Sequence, residues 1–341
     1  MSKRKFAFPE IVPWPEPVDG AVLADDILST LRRFLVLPDG AAEAITLWTF
    51  FTHTFDAWEC SPRLVFTSRE PECGKTTSLS ILARLVPTPL PTVSITPAAL
   101  FRIIEKHQPS LLIDEADTFI EGNEELRGVL NSGHTRDTAF VWRCHPETLE
   151  PEGFSTWSPM AIAKIGGLPP TLWSRSIIIR MRRKTPSELV ERFLPSHRVE
   201  VELLARRAAR WAEDNLPRLR GTNPTMPAGL GSRAADNWRP LVAIADAIGS
   251  HWPTIARDTA MKLGANWERA VGLDAVLRLV VERYASTRKP IPEALVRDQL
   301  RSSIGLVECG KVISELLARK KLASTGVPPV RMLKPVEGVT I

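Results

Sequence analysis

The stretch PRLVFTSREPECGKTTSLSILARLV, residues 62–86, constrains the fold more than any other part of the chain. Its apolar start, ending in small residues, reads as a buried strand. After Gly74 the apolar residues recur at helical spacing. A strand, a tight loop and a helix opening at Gly-Lys-Thr are what turns backbone N–H groups and a helix N-terminus toward phosphates. In that setting Glu72, Cys73, Gly74, Lys75, Thr76 and Thr77 are the expected phosphate contacts, with Lys75 as the cation and the Thr76 hydroxyl as a Mg²⁺ ligand. The usual fingerprint begins with a glycine, and this chain has Arg69 there. That position marks the turn out of the strand, whereas the phosphates are gripped mainly at the Gly-Lys-Thr end.

A second motif follows in the order that such a site needs. PSLLIDEAD, residues 109–117, is an apolar strand ending in carboxylates. Asp114 at its tip is placed to hold the Mg²⁺ shell, and Glu115 to polarise an attacking water. Alone, either motif also reads as an ordinary strand, loop or acidic helix cap. Together they predict an ATP- and Mg²⁺-binding domain that hydrolyses ATP. The letters DEAD are no RNA-helicase box, since the further motifs of that family are missing.

Around these motifs, residues 61–185 alternate strand-like and helical runs, the pattern of a parallel-sheet α/β domain. The expected class is therefore α/β, a P-loop NTPase core. Its expected parts are a Pro-rich and helical segment over 1–60, the core over 61–185, a helical lid over 186–265 and a small winged-helix-like module over 266–341. Charge separates along the chain. Residues 1–150 hold 14 Lys/Arg against 21 Asp/Glu, a net of −7, which leaves 30 against 18, a net of +12, for residues 151–341. A basic second half fits a polyanionic partner, though solvated helix faces produce the same imbalance. No apolar run reaches the roughly eighteen residues a membrane span needs. The basic N-terminal tip lacks an apolar h-region, so a cytoplasmic protein is expected. Cys60, Cys73, Cys144 and Cys309 lie far apart without metal-type spacing and are expected as free thiols.

Residues 124–183 parse as a helix, a strand AFVWRC, a return strand near FSTW, a core strand PMAIAKI, a Gly/Pro loop and a last strand SIIIRM. A hairpin inserted before the fourth core strand resembles the DNA-gripping hairpin of AAA+ helicases. It would present Arg136, Arg143 and His145; the competing reading is an ordinary hairpin with solvent-facing basic residues. The same resemblance makes Lys164 a sensor of the γ-phosphate, where asparagine is more common. It makes Arg175 an arginine finger and Arg233 a second sensor in the lid. For each arginine a structural salt bridge is the alternative. The basic cluster RMRRK (180–184) is a nucleic-acid path or a solvated strand end.

VPWPEPVDGAVLADDI, SREPECGKTT, LLIDEAD, LNSGHTR, IGGLPPTLWSRSIIIRMRR and SRAADNWRPLVAIAD, spread over residues 11–250, together resemble one family. It is a family of P-loop ATPase domains catalogued only as a domain of unknown function (number 3631), typical of bacterial and phage mobile elements and often found beside primase-like modules. In that family the loop tends to read S-P-E-x-x-C-G-K-T, so Arg69 replaces a proline and Cys73 is a small residue. The resemblance implies a DNA-dependent ATPase, a helicase or translocase assembled as a homo-oligomeric, hexameric ring on single-stranded or forked DNA. The alternative is an ATP-driven switch or loader that recruits a primase, replicase or transposase. A third reading, a scaffold with a degenerate site, is opposed by the intact Lys75, Thr76, Asp114 and Glu115.

Overall fold

A computed structural model describes residues 8, 10–116, 122–145, 147–287, 289–304, 313–314, 316–318, 321–325 and 332–336. Asp117, Cys309 and half of the stretch CGKVISELLARKKL (309–322) lie outside the described residues.

Five parallel strands form the central sheet in the order β2-β3-β6-β1-β7. They are β1 (Arg63–Ser68), β2 (Pro89–Thr92), β3 (Ser110–Ile113), β6 (Met160–Ile165) and β7 (Ser176–Arg180). Burial on both faces explains why these runs are almost wholly apolar. Period-two alternation sorts each strand between two cores. Leu64 and Phe66 of β1, with Ile177 and Ile179 of β7, enter one cluster, while Val65 and Ile178 face the other.

The larger cluster is built by α1 (Gly20–Phe34), α2 (Ala41–His53), α3 (Lys75–Leu85), α7 (Arg198–Leu219) and α8 (Ser232–Ile248). The Asp19 carboxylate caps α1, accepting from Ala21 N (2.8 Å) and Val22 N (3.0 Å). On the other face lie α4 (Pro97–His107), α5 (Glu124–Ser132) and the single turn α6 (Pro170–Trp173). The Pro-rich start is strapped to α7, with Trp14 N donating to Arg206 O (2.9 Å) and Arg206 Nε to Val12 O (2.9 Å).

Helices α7 and α8 bury Trp211 and Trp238 in the same core as Trp48 of α2. The segment expected as a lid is thus no separate body: Met1–Gly264 forms one compact unit and Ala265–Ile341 a second. The apolar faces of α1, α2, α7 and α8 need one another for burial, which joins the segments expected over 1–60, 61–185 and 186–265.

Between β3 and β6 the chain forms an antiparallel hairpin, β4 (Phe140–Cys144) with β5 (Pro151–Ser155), paired only with itself. It lies against α4 and α5, where Phe154 meets Phe101 at 4.8 Å and Arg143 pairs with Glu125 at 2.5 Å. In the second unit β8 (Ile291–Pro292), β9 (Leu322–Thr325) and β10 (Met332–Pro335) form an antiparallel sheet in the order β8-β10-β9. Val276 and Val280 of α9 (Trp252–Thr287) and Val296 of α10 (Glu293–Ile304) share its core with Ile291, Leu322 and Leu333. Among the described residues no helix is long and apolar enough to cross a membrane.

Candidate nucleotide site

Strand β1 runs into the loop and the loop into α3. Gly74 holds φ +86 at the helix start, and the nearest atom to a Cβ built there is 3.4 Å away, so conformation rather than space selects glycine. Glu72 also turns left-handed, at φ 62. The chain therefore reverses at residues 72–74; Arg69 has no positive φ, and no glycine is needed there. The Cys73 thiol is folded inward and donates to Glu70 O (3.3 Å). Lys75 is buried and donates to Ser68 Oγ (2.6 Å) and, more weakly, to Glu70 O (3.5 Å). These bonds tie the Lys75 ammonium to the end of β1 and to the start of the loop. Arg183 reinforces it from outside, donating to Pro71 O (3.1 Å) and pairing with Glu72 (3.1 Å) and Glu70 (3.6 Å).

The acidic strand does not touch β1; β6 lies between them. Asp114 follows the end of β3, with its backbone N–H on Thr92 O (2.9 Å) and Oδ1 accepting from Glu115 N (2.9 Å). Glu115 holds φ 51, a strained conformation for a non-glycine residue that turns the chain off the strand. Lys164, one residue before the end of β6, is level with Thr67 of β1 and 1% exposed. The C-terminal ends of three adjacent strands thus place the loop of Lys75, Lys164 and the Asp114–Glu115 pair side by side.

Two clefts open beside this junction and share Thr76 and Thr77. One, of about 330 Å³, runs from Glu72–Thr77 to Phe34, Leu35, Val36, Arg182, Lys184 and Val190. The other, of about 480 Å³, has Thr76, Thr92, Asp114, Arg84 and Arg198 on its walls. A hydroxyl and a carboxylate across one cleft form a hard oxygen donor set, which suits Mg²⁺ completed by phosphate and water oxygens. No group of three or more His, Cys, Asp or Glu that could hold a metal alone occurs among the described residues. The apolar end formed by Phe34, Leu35 and Val190 is suited to a base, and the Lys75 end to phosphates. The residues present therefore fit a Mg²⁺-nucleotide.

Arg175 and Arg233 stand elsewhere. Arg175 immediately precedes β7, and its carbonyl accepts from Arg63 N (2.9 Å) at the start of β1. Six strand residues separate that edge from the phosphate loop, roughly 17 Å. Burial lowers the Arg175 proton affinity, and so does Arg233 beside it. Arg233, expected as a second sensor in the lid, lies near the start of α8 beside Arg175, at the end of the sheet away from the loop.

The hairpin residues are not grouped as expected. Arg136 lies in a turn before β4, donating to Trp58 O (3.0 Å) and stacked 5.1 Å over the Trp157 ring, so it anchors the hairpin base. Arg143 is engaged by Glu125. His145 shapes the tip, where Nδ1 accepts from Glu147 N and Thr148 N at 3.3 Å each. The exposed hairpin side chains include Phe140, Trp142 and Leu149.

The sequence model of a family described as "Protein of unknown function (DUF3631)" matches residues 180–295. The resemblance drawn over residues 11–250 is thus matched over the helices after the sheet, and the loop and acidic strand fall outside it. A curated relative, "Uncharacterized 28.9 kDa protein in xis 5'region" of Saccharopolyspora erythraea, is 42% identical over 84 residues, 24% of this chain and 31% of that protein. Among solved structures, a full-length MCM homolog from Methanopyrus kandleri superposes with a TM-score of 0.45 at 15% identity, covering 76% of this chain and 63% of that one. The chain spans under two thirds of either protein.

Several cleft residues were not legible as such in the sequence. Val36 sits in a linker between helices, and Arg182 and Lys184 belong to the cluster left undecided between nucleic acid and solvent. Arg198 opens α7, more than a hundred residues from Thr76. Nothing local marks any of them; only tertiary packing brings them to the loop.

Proposed function

We propose that the protein is a Mg²⁺-dependent ATP hydrolase with an AAA+-like P-loop core that works as a ring of identical copies on single-stranded or forked DNA. One observation carries this reading: the loop of Lys75, Lys164 and the Asp114–Glu115 pair stand side by side at the C-terminal ends of adjacent parallel strands, with Lys75 lining a cleft that has an apolar end and Asp114 lining the cleft next to it. Lys75 leaves Ser68 and Glu70 and neutralises the β- and γ-phosphates. Thr76 and Asp114 would hold Mg²⁺, which would supply charge neutralisation at the phosphate oxygens. Glu115 orients the attacking water and takes its proton, and Lys164 contacts the γ-phosphate. Arg175 and Arg233, too far from their own loop, act on the nucleotide of a second copy and stabilise the developing charge.

The second reading, an ATP-driven switch or loader for a primase, replicase or transposase, draws support from the hairpin. Residues 140–155 carry one arginine against three glutamates, net −2, and that arginine is already paired. Such a hairpin is a poor phosphate grip.

ATP turnover with and without single- and double-stranded DNA, beside Lys75→Ala and Arg175→Ala, tests the proposal. Several-fold stimulation by single strands, abolished by Lys75→Ala, is the expected result for a translocase. Slow turnover indifferent to DNA would favour the switch, and absence of ATP binding would end both readings.

A further inference from the structure

Three motifs that are far apart in the chain meet at the edge of the sheet opposite the phosphate loop: LNSGHTR, LWSRS and SRAADNW. Their meeting point is a chain of hydrogen bonds. His134, 2% exposed, has Nε2 2.8 Å from Asn237 Oδ1. Asn237 Nδ2 in turn donates to Ser174 O at 3.0 Å. Ser174 O can only accept, so the amide nitrogen must face it and the amide oxygen must face His134. Nε2 therefore carries the ring proton. Nδ1, left as an acceptor, has the Thr135 hydroxyl at 3.4 Å, and Cys60 Sγ lies 3.3 Å from Nε2. Burial, followed by the charge of Arg63, keeps this imidazole neutral, its pKa pushed down to about 3.

The carbonyl that Asn237 holds belongs to the Ser174–Arg175 peptide. Arg175 N donates to Leu172 O (3.1 Å) and Arg175 O accepts from Arg63 N (2.9 Å). Asn237 supplies the remaining hold on this backbone, from a different element. It also lies four residues after Arg233 on α8, hence on the same helix face. Docking Asn237 against Ser174 thereby turns Arg233 toward Arg175. Arg63, Arg175 and Arg233 have no carboxylate within ion-pair distance among the described residues. Arg63 is fully buried on Ser61 O and Leu130 O and Asp236 stands near Cys60, but Arg175 feels the charge of Arg233 beside it, so this pair is suited to an external anion.

We propose that Asn237, oriented by His134, is a positioning residue that pins the Ser174–Arg175 peptide to α8 and so presents Arg175 and Arg233 as one pair to the triphosphate bound by a second copy of this chain. The inference rests on the reading that Arg175 acts in the neighbour's site. Asn237 touches no substrate; it fixes the arginines relative to each other, and an error of about an ångström there is enough to lose most of their effect.

The test mixes two full-length variants. Arg175→Ala supplies intact phosphate loops without the finger, and Lys75→Ala supplies arginines without a loop; together they should regain turnover. Adding Asn237→Asp to the Lys75→Ala partner keeps the acceptor for His134 but turns an oxygen to Ser174 O. Rescue should fall about tenfold or more. A readout apart from activity is ATP-dependent assembly of the Glu115→Gln chain, followed by sedimentation. Asn237→Asp should raise the protein concentration needed for assembly about tenfold while leaving the affinity of isolated copies for a fluorescent ATP analogue within about twofold. If Asn237→Asp does not fold, His134→Gln, whose amide nitrogen reaches the place of Nε2, should keep assembly and His134→Ala should lose it. Undiminished rescue, or equal loss of assembly and of each copy's own nucleotide affinity, would overturn the positioning role alone. No rescue by the plain Lys75→Ala partner would overturn it together with the neighbour reading.

Discussion

At the scale of single residues, the polar knot around His134 is held by close packing as well as by hydrogen bonds. Gly133 has φ −74, which any residue adopts, yet a Cβ there would run into the Thr156 carbonyl oxygen and stand 3.1 Å from Arg63 Nη2. Backbone cannot yield as a flexible side chain does, so Gly133→Ala is expected to destabilise by about 2–4 kcal/mol, measured by urea unfolding. Two neutral histidines add a pH dependence of definite sign. Burial lowers the pKa of His134 to about 3 and that of His53 to about 4, the latter partly countered by Leu85 O at 2.7 Å. Above pH 6.5 neither costs anything. As pH falls below 6.5 the unfolded chain takes up protons that the folded one refuses, and stability drops until the folded pKa values are reached. Between pH 7.5 and 5.5 the unfolding free energy should fall by about 1 kcal/mol through each histidine, since both folded pKa values lie below that window. His134→Gln should flatten about half of that slope.

At the scale of elements, the hairpin β4–β5 is fastened at its base by Arg136 and along its side by Arg143, which leaves an acidic rim with exposed aromatic residues. Arg143 is partly exposed and its ion pair with Glu125 is surface-screened, so Arg143→Ala should cost under about 1 kcal/mol of stability. If DNA binds elsewhere than on this hairpin, the same variant should leave the slope of log affinity against log salt unchanged; loss of a direct phosphate contact would reduce it by about 1. The phosphate loop illustrates the opposite case, in which an element's sequence departs from a fingerprint while its geometry does not need the missing residue. Glu72 and Gly74 make the turn, so Arg69 is free to differ.

At the scale of the whole molecule, α1, α2, α7 and α8 make one body with the sheet. That body holds every residue assigned to nucleotide handling, from Phe34 to Arg233. A chain ending at Gly264 keeps Ala256 and Ala260 in the first core and is expected to unfold in one cooperative transition. It should bind a fluorescent ATP analogue with an affinity within about threefold of the full chain, a difference under about 1 kcal/mol. Loss of cooperativity would mean that the second unit completes the first.

The strand–loop–helix at 62–86 and the acidic strand at 109–115 were legible because their chemistry is local: a run of apolar residues, a left-handed glycine, a cation and a carboxylate within a few positions. Alternating strands and helices likewise announced a parallel sheet. What the chain order could not convey is which end of that sheet an arginine occupies. Arg175 and Arg233, more than fifty residues apart, read as a finger and a second sensor, and only the direction of β7 and the docking of Asn237 on Ser174 show that both stand at the far end of the sheet. Arg136 shows the same limit. Its place beside Trp58 and Trp157 depends on long-range packing, and the free energy that decides such placements comes from burying surfaces that local sequence does not bring together.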